Sequence, residues 1–169
     1  SRSPFIESIR VVLRTKHYSL KTEKAYLHWI RRFIYFNGKR HPKDMGELEV
    51  EQFLTHLAIE IKVAPTTQNQ ALCAVIFMYR HVLEMDLINM SFQFAKTPVR
   101  VPEVLSHKDA IAIIDTLQGV HKTIGILMYG GGFRISEVLK LRLKDFDFER
   151  STIFIFRSKG QKDRVTLFP

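Results

Sequence analysis

The sequence predicts a mainly α protein with a small mixed α/β portion on its C-terminal side, and three observations predict it. Residues 1–88 carry helical periodicity and no strand pattern. Residues 91–103 lose that periodicity and hold Pro98 and Pro102, as an extended linker would. Two β-prone runs, Ile153-Phe154-Ile155-Phe156 and Val165-Thr166-Leu167-Phe168, flank a Ser/Lys/Gly/Gln turn, which signals a hairpin. The expected order is a four-helix module (1–88), a linker (89–105), and the opening part of an α/β module (106–169).

Pro4 to Leu13 reads as a short first helix. After a turn at His17 and Tyr18, the Ser19 hydroxyl can accept from the first free N–H groups of a second helix reaching about Phe36. On that helix Tyr26, Trp29, Ile30 and Phe33 share one face, and Lys21, Lys24, His28, Arg31 and Arg32 share the opposite one. His41-Pro42 breaks the chain, and Asp44 with Glu47 offers a start signal for a third helix to about Ile61. Pro65 suits the first position of a fourth helix, whose apolar stripe is Leu72, Val75, Ile76, Tyr79, Val82 and Leu83. Phe77 and Met78 lie off that stripe, so this helix is expected at the centre of the module.

Beyond the linker, Ser106-His107-Lys108-Asp109 opens a helix to about Leu117, and a second runs from near Val120 to Tyr129. Gly130-Gly131-Gly132 ends it and hands over to a helix beginning near Arg134.

The 169 residues are 46% hydrophobic and carry 26 Lys or Arg against 17 Asp or Glu, a net charge of +9. Residues 1–40 hold ten Lys or Arg and only Glu7 and Glu23, which places +8 of that charge there. Such a patch fits nucleic acid, although solubility or an acidic membrane surface would also account for it. Cys73 is the single cysteine, so no internal disulfide forms and no Cys/His zinc spacing exists; a reducing, cytoplasmic setting is expected. No apolar run reaches the length of a membrane span, and the basic N-terminal stretch lacks the apolar core of a signal peptide. The three glycines are not followed by Gly-Lys-Ser/Thr, so they are no P-loop, and neither metal nor cofactor is expected.

Three groups of residues carry candidate chemistry. Arg134 can present a guanidinium fork to two oxygens of a phosphodiester, and Glu137, three residues on, can orient it; a plain surface ion pair is the alternative. Lys159, on the hairpin turn, could protonate a departing alkoxide or serve solubility only. Arg14, Lys16, Lys21, Lys24, Arg31 and Arg32 can bind phosphates, while Thr67, Gln68, Asn69 and Gln70 at the start of the fourth helix can reach base edges. Core packing is the competing claim on Gln68 and Asn69.

Taken together these segments resemble a known family. Tyr129-Gly130-Gly131-Gly132-Phe133-Arg134-Ile135-Ser136-Glu137-Val138-Leu139-Lys140-Leu141 is similar to the first arginine box of the tyrosine recombinases, the phage integrase family. Ser158-Lys159-Gly160-Gln161-Lys162-Asp163-Arg164 resembles that family's lysine hairpin, with Ser158 where Gly is usual. Tyr18-Ser19-Leu20-Lys21-Thr22-Glu23-Lys24-Ala25-Tyr26 resembles the start of its SAM-like core-binding domain. Residues 39–42, 51–58 and 67–72 resemble the integron-integrase branch.

The resemblance implies a four-helix SAM-like core-binding domain followed by the first part of a mixed α/β catalytic domain. It implies Arg134 as the first catalytic arginine, Glu137 as its acidic partner and Lys159 as the catalytic lysine. Family members cut one strand with a tyrosine and form a 3′-phosphotyrosyl link without metal or nucleotide. Here Tyr18, Tyr26, Tyr35, Tyr79 and Tyr129 all precede Arg134, and no His-x-x-Arg box follows Lys159. The expectation is therefore a chain truncated before the nucleophile, which binds DNA recombination sites and does not cleave them alone. The alternatives are a non-catalytic regulator acting on those sites or on full-length recombinase protomers, and a gene remnant without function.

Overall fold

A computed structural model describes residues 3–85, 94–96, 101–156 and 163–168. The chain divides into two compact units, residues 1–100 and 101–169.

In the first unit four helices form where the sequence places its start signals, with one exception. Helix α1 spans Pro4–Thr15, and α2 spans Leu20–Phe36 with the Ser19 hydroxyl accepting from the Thr22 N–H at 3.1 Å. Helix α3, Glu47–Ile59, starts later than Asp44 suggests. Pro42–Asp44 forms a single 3-10 turn instead, and Gly46 precedes the helix with its N–H donating to Glu49 Oε2 at 2.8 Å. The acidic capping residue is thus Glu49 rather than Glu47, because the fixed φ of Pro42 spends the preceding residues on a tight turn. That backbone hydrogen bond, with Arg40 on the other carboxylate oxygen at 3.1 Å, holds the Glu49 carboxyl below its usual pKa.

Helix α4, Pro65–His81, opens on its proline and buries Ala71, Leu72, Ala74, Val75, Phe77, Met78 and Tyr79, so it is surrounded on most sides. It stops two residues short of the predicted stripe, with Val82 and Leu83 half-buried beyond its end and Glu84 in the left-handed region at φ +53°. Ile9 and Leu13 of α1, Ile30 and Phe33 of α2, and Val50, Phe53 and Leu57 of α3, each at most 1% exposed, complete the core. Burying such a side chain contributes about 1.5–3 kcal/mol, so this core carries most of the unit's stability.

The second unit is thinner. Helix α5, His107–Thr116, is capped by Ser106, and α6 covers Gly119–Gly130. A four-residue helix, α7 (Ile135–Val138), precedes a 3-10 turn at Leu143–Asp145 and a three-stranded antiparallel sheet. Its strands are β1 (Phe146–Asp147), β2 (Thr152–Ile155) and β3 (Arg164–Leu167), in the order β1-β2-β3. The predicted hairpin is β2 and β3, each displaced by one residue toward the N-terminus, with Ile155 opposite Arg164 and Ile153 opposite Thr166. Strand β1 pairs Phe146 with Ile153 and has no signal in the sequence, since two residues are too few for alternation to register. Ile153 and Ile155 point inward onto Leu127, Phe133 and Val138, whereas Phe154 is exposed.

Candidate functional site

The arginine box is shaped by its glycines. Helix α6 ends with the Gly131 N–H donating to Leu127 O at 3.0 Å, and Gly132 then adopts φ +64°, a left-handed conformation that a residue with a Cβ resists. A Cβ added at Gly131 would collide with the ring of Phe133, which is buried at 4% exposure. This close approach turns the chain so that Arg134 emerges at the edge of a cleft of about 630 Å³, lined also by Ser136, Lys140, Arg142, Phe154 and Phe156.

Arg134 is extended and stands immediately before α7. Its backbone N–H donates to Glu137 Oε2 at 2.8 Å, and its Nη1 donates to Glu137 Oε1 at 2.8 Å. The Glu137 side chain is only 8% exposed, against 52% for Arg134. The predicted pair therefore meets, and as more than a surface ion pair: the carboxylate is sheltered and holds both the backbone and the side chain of the arginine. Arg134 lines the cleft and is half exposed, and its guanidinium is a forked donor of the kind that suits phosphate oxygens.

A residue that sequence reasoning passed over joins this site. Arg164 Nη2 donates to Glu137 Oε2 at 2.9 Å and to Gly132 O at 3.1 Å, and its guanidinium carbon lies 5.9 Å from the centre of the Phe133 ring. Two residues along β3, on the same face, Thr166 Oγ1 donates to Gly131 O at 3.4 Å. The sequence places Arg164 at the end of the turn motif and holds no local signal for its bond to Glu137, 27 residues away. Lys159 lies outside the described residues.

On the first unit, Lys16, Lys21, Lys24 and Arg31 are exposed. Arg14 has an internal role as well: its Nε donates to Glu23 Oε2 at 2.8 Å, and Arg10 Nε reaches Glu23 Oε1 at 3.1 Å. Glu23 is buried at 7% exposure, and the Arg14 hydrogen bond, the largest influence on it, holds its carboxyl below the usual range. Arg32 is half-buried with its guanidinium over Trp29, 5.3 Å from the ring centre. Tyr35, 65% exposed, lies on the same side of α2 as Lys24 and Arg31.

At the start of α4, Gln68 Nε2 donates to Leu54 O at 3.2 Å, and Trp29 Nε1 donates to Gln70 Oε1 at 3.1 Å. Asn69 Nδ2 donates to Ala95 O at 3.1 Å while the Ala95 N–H donates to Asn69 Oδ1 at 2.8 Å. The amides of Gln68 and Asn69 thus hold backbone, which is the packing role that competed with base contact. Thr67 is half-buried.

Among the described residues no group of three or more His, Cys, Asp or Glu could hold a metal ion, and no helix is long and apolar enough to cross a membrane.

Comparison with known proteins bears on both units. Residues 5–89 match the phage integrase N-terminal SAM-like domain, and residues 103–169 match the phage integrase family. The chain is 45% identical over 165 residues to an integrase/recombinase of Escherichia coli, covering 97% of this chain and 49% of that protein. It is 28% identical over 170 residues to the tyrosine recombinase XerA of Thermococcus onnurineus, covering 97% of this chain and 57% of that protein. The chain spans about half the length of these relatives. In fold it is similar to the Tn1549 transposon integrase solved with transposon right end DNA, with a TM-score of 0.65 at 16% identity over 96% of this chain and 56% of that one. It is also similar to the XerH site-specific recombinase bound to its palindromic difH substrate, with a TM-score of 0.60 at 18% identity over 99% of this chain and 54% of that one. A mainly helical fold with a SAM-like first domain, an arginine box held by a sheltered glutamate, and these matches along both units together show that the chain belongs to the phage integrase family of tyrosine recombinases.

Proposed function

We propose that this chain is the DNA-binding and arginine-box portion of a site-specific recombinase of the integron-integrase type. Residues 1–88 form its DNA-binding domain, 89–105 a linker, and 106–169 the first part of its catalytic domain. Lys16, Lys21, Lys24 and Arg31 lie along DNA phosphates, with Arg14 and Arg32 at the margin of that surface and Thr67 beside it. Arg134 takes a phosphate of the strand to be cut, and Lys159 serves as the proton donor to the departing oxygen. The observation that carries this reading is the Arg134 guanidinium, held on one edge by sheltered Glu137 and open on the other toward a cleft bordered by Lys140 and Arg142.

An attack on phosphorus adds charge to the non-bridging oxygens, which a preorganised arginine stabilises without reorganising. No tyrosine lies between Arg134 and residue 169 to make that attack, so residues 1–169 tested by themselves bind DNA and leave it uncut. The reading needs no cofactor. Its partners are recombination sites and, in a mixed assembly, full-length recombinase protomers.

Phosphate contacts from Lys16, Lys21, Lys24, Arg31 and Arg134 give a slope of log affinity against log salt of about −4.5, or about a 500-fold loss between 50 and 200 mM. Fluorescence anisotropy with a labelled duplex measures this slope, and a flat response refutes the DNA-binding assignment. Incubation with nicked suicide duplexes should yield no covalent protein–DNA adduct; an adduct overturns the non-cleaving part.

A further inference from the structure

Arg164 opens β3 opposite Ile155, and its side chain is not disposed like that of an ordinary hairpin arginine. A single nitrogen, Nη2, bonds both the Glu137 carboxylate and the Gly132 carbonyl, at 2.9 and 3.1 Å. Its Nε is buried with no partner among the described residues, a penalty that an arginine serving only solubility would avoid. From the other side Glu137 is held by the Arg134 N–H and Nη1, both at 2.8 Å. One carboxylate is therefore shared by two guanidinium groups, one anchored in the hairpin and one at the cleft.

We propose that Arg164 is a positioning residue for Arg134: it fixes the Glu137 carboxylate and takes up part of its charge, so that Arg134 meets a phosphate correctly aimed and still net positive. This rests on the reading of Arg134 as a phosphate ligand. An isolated Arg–Glu pair is neutral and attracts an anion weakly, whereas Arg–Glu–Arg keeps one positive charge. Because the carboxylate is sheltered from water, its hydrogen bonds constrain geometry more firmly than surface pairs do. The bond to Gly132 O and the contact with Phe133 add a second constraint, since both belong to the loop that delivers Arg134. Arg164 pairs with Ile155 across the ladder, and in sequence residues 156–163, Lys159 among them, lie between the two.

The test uses the 169-residue chain with ¹⁵N-labelled arginine, titrated with inorganic phosphate while the Arg134 Nε–H resonance is followed. That resonance is identified by its loss in R134A. In the wild type it should shift saturably. In R164A the phosphate affinity read at Arg134 should fall about tenfold, the value of one charged hydrogen bond, with helix content unchanged. R164K, which keeps the charge, should stay within about threefold of wild type. A wild-type resonance that ignores phosphate overturns the Arg134 reading and this inference with it. A resonance that responds with equal affinity in wild type and R164A overturns the positioning role alone. If R164A does not fold, R164K and R164Q decide: weaker binding in R164Q supports the role, and equal binding overturns it.

Discussion

The hydroxyl of Tyr79 lies 3.1 Å from the carbonyl oxygen of Met45, and it reaches Pro42 O at the same distance. At 1% exposure it is the largest side chain fully inside the first unit, and it pins the connection before α3 onto α4. The phenol has one hydrogen to share between them, and Pro42 O also accepts from the Met45 N–H at 3.2 Å, so replacement by Phe removes the side-chain donor from Met45 O at nearly constant volume. The expected cost is about 1–3 kcal/mol, measured as a lower urea midpoint with unchanged slope.

The same phenol sets an alkaline limit. Burial pushes its pKa from 10.0 up to about 12, so the folded state holds the proton more tightly than the unfolded one. Stability from that difference is fully present below pH 10 and is lost as pH rises through about 12. The penalty of Y79F relative to wild type should therefore shrink across this interval, by about 2 kcal/mol in all. A difference in unfolding free energy that stays constant from neutral pH to pH 12 contradicts it.

Glu23 works in the opposite direction. The Arg14 hydrogen bond depresses its pKa below 4.5, so its contribution is complete above that value and disappears as pH falls through the lowered folded value. The first unit should lose melting temperature on acidification below pH 4.5, and E23Q, already less stable, should lose less there. Parallel melting curves for the two proteins in acid would count against the assignment.

Positive side chains on neighbouring helices should separate by function. K24A and R31A should each reduce the salt slope of DNA binding by about 0.9 while changing stability by less than about 0.5 kcal/mol. R14A should do the reverse, destabilising the fold through Glu23 more than it alters the slope. Paired anisotropy and denaturation measurements on the three variants check this, and identical behaviour of all three would sink it.

Gly131→Ala should act through Phe133, because the new methyl group occupies the ring's place. Displacing a 4%-exposed ring that packs with Leu127, Val138 and Ile153 should cost about 1–3 kcal/mol in the second unit. Arg134 follows Phe133 directly, so its side-chain resonance should move as well. Unaltered melting of this unit in the variant would show that the loop has room it does not display.

The helices of the first unit were legible because their signals are local: Ser19 as a cap, Pro65 at a first turn, and apolar spacing along α4. What the sequence misplaced also has local causes. The start of α3 moved because a proline turn used the residues around Asp44, and Leu27 and Glu23 joined the buried face of α2 because α1 covers more of that helix than an apolar stripe indicates. In the site, Arg134 and Glu137 could be paired from their spacing alone. Arg164 could not, since its bond to Glu137 spans 27 residues and depends on the hairpin register. The amide pairing of Asn69 with Ala95 is likewise non-local, at 26 residues.

In β3, Arg164 and Thr166 face the glycine loop while Val165 and Leu167 face away. Length changes on the two sides of Arg164 are consequently unequal. An extra residue among 156–163 leaves the ladder from Ile155 and Arg164 onward in phase. An extra residue between Arg164 and Thr166 inverts one relative to the other, tearing either the arginine or the threonine from the loop. Of the two sides, the stretch after Arg164 is the one whose length the ladder itself fixes.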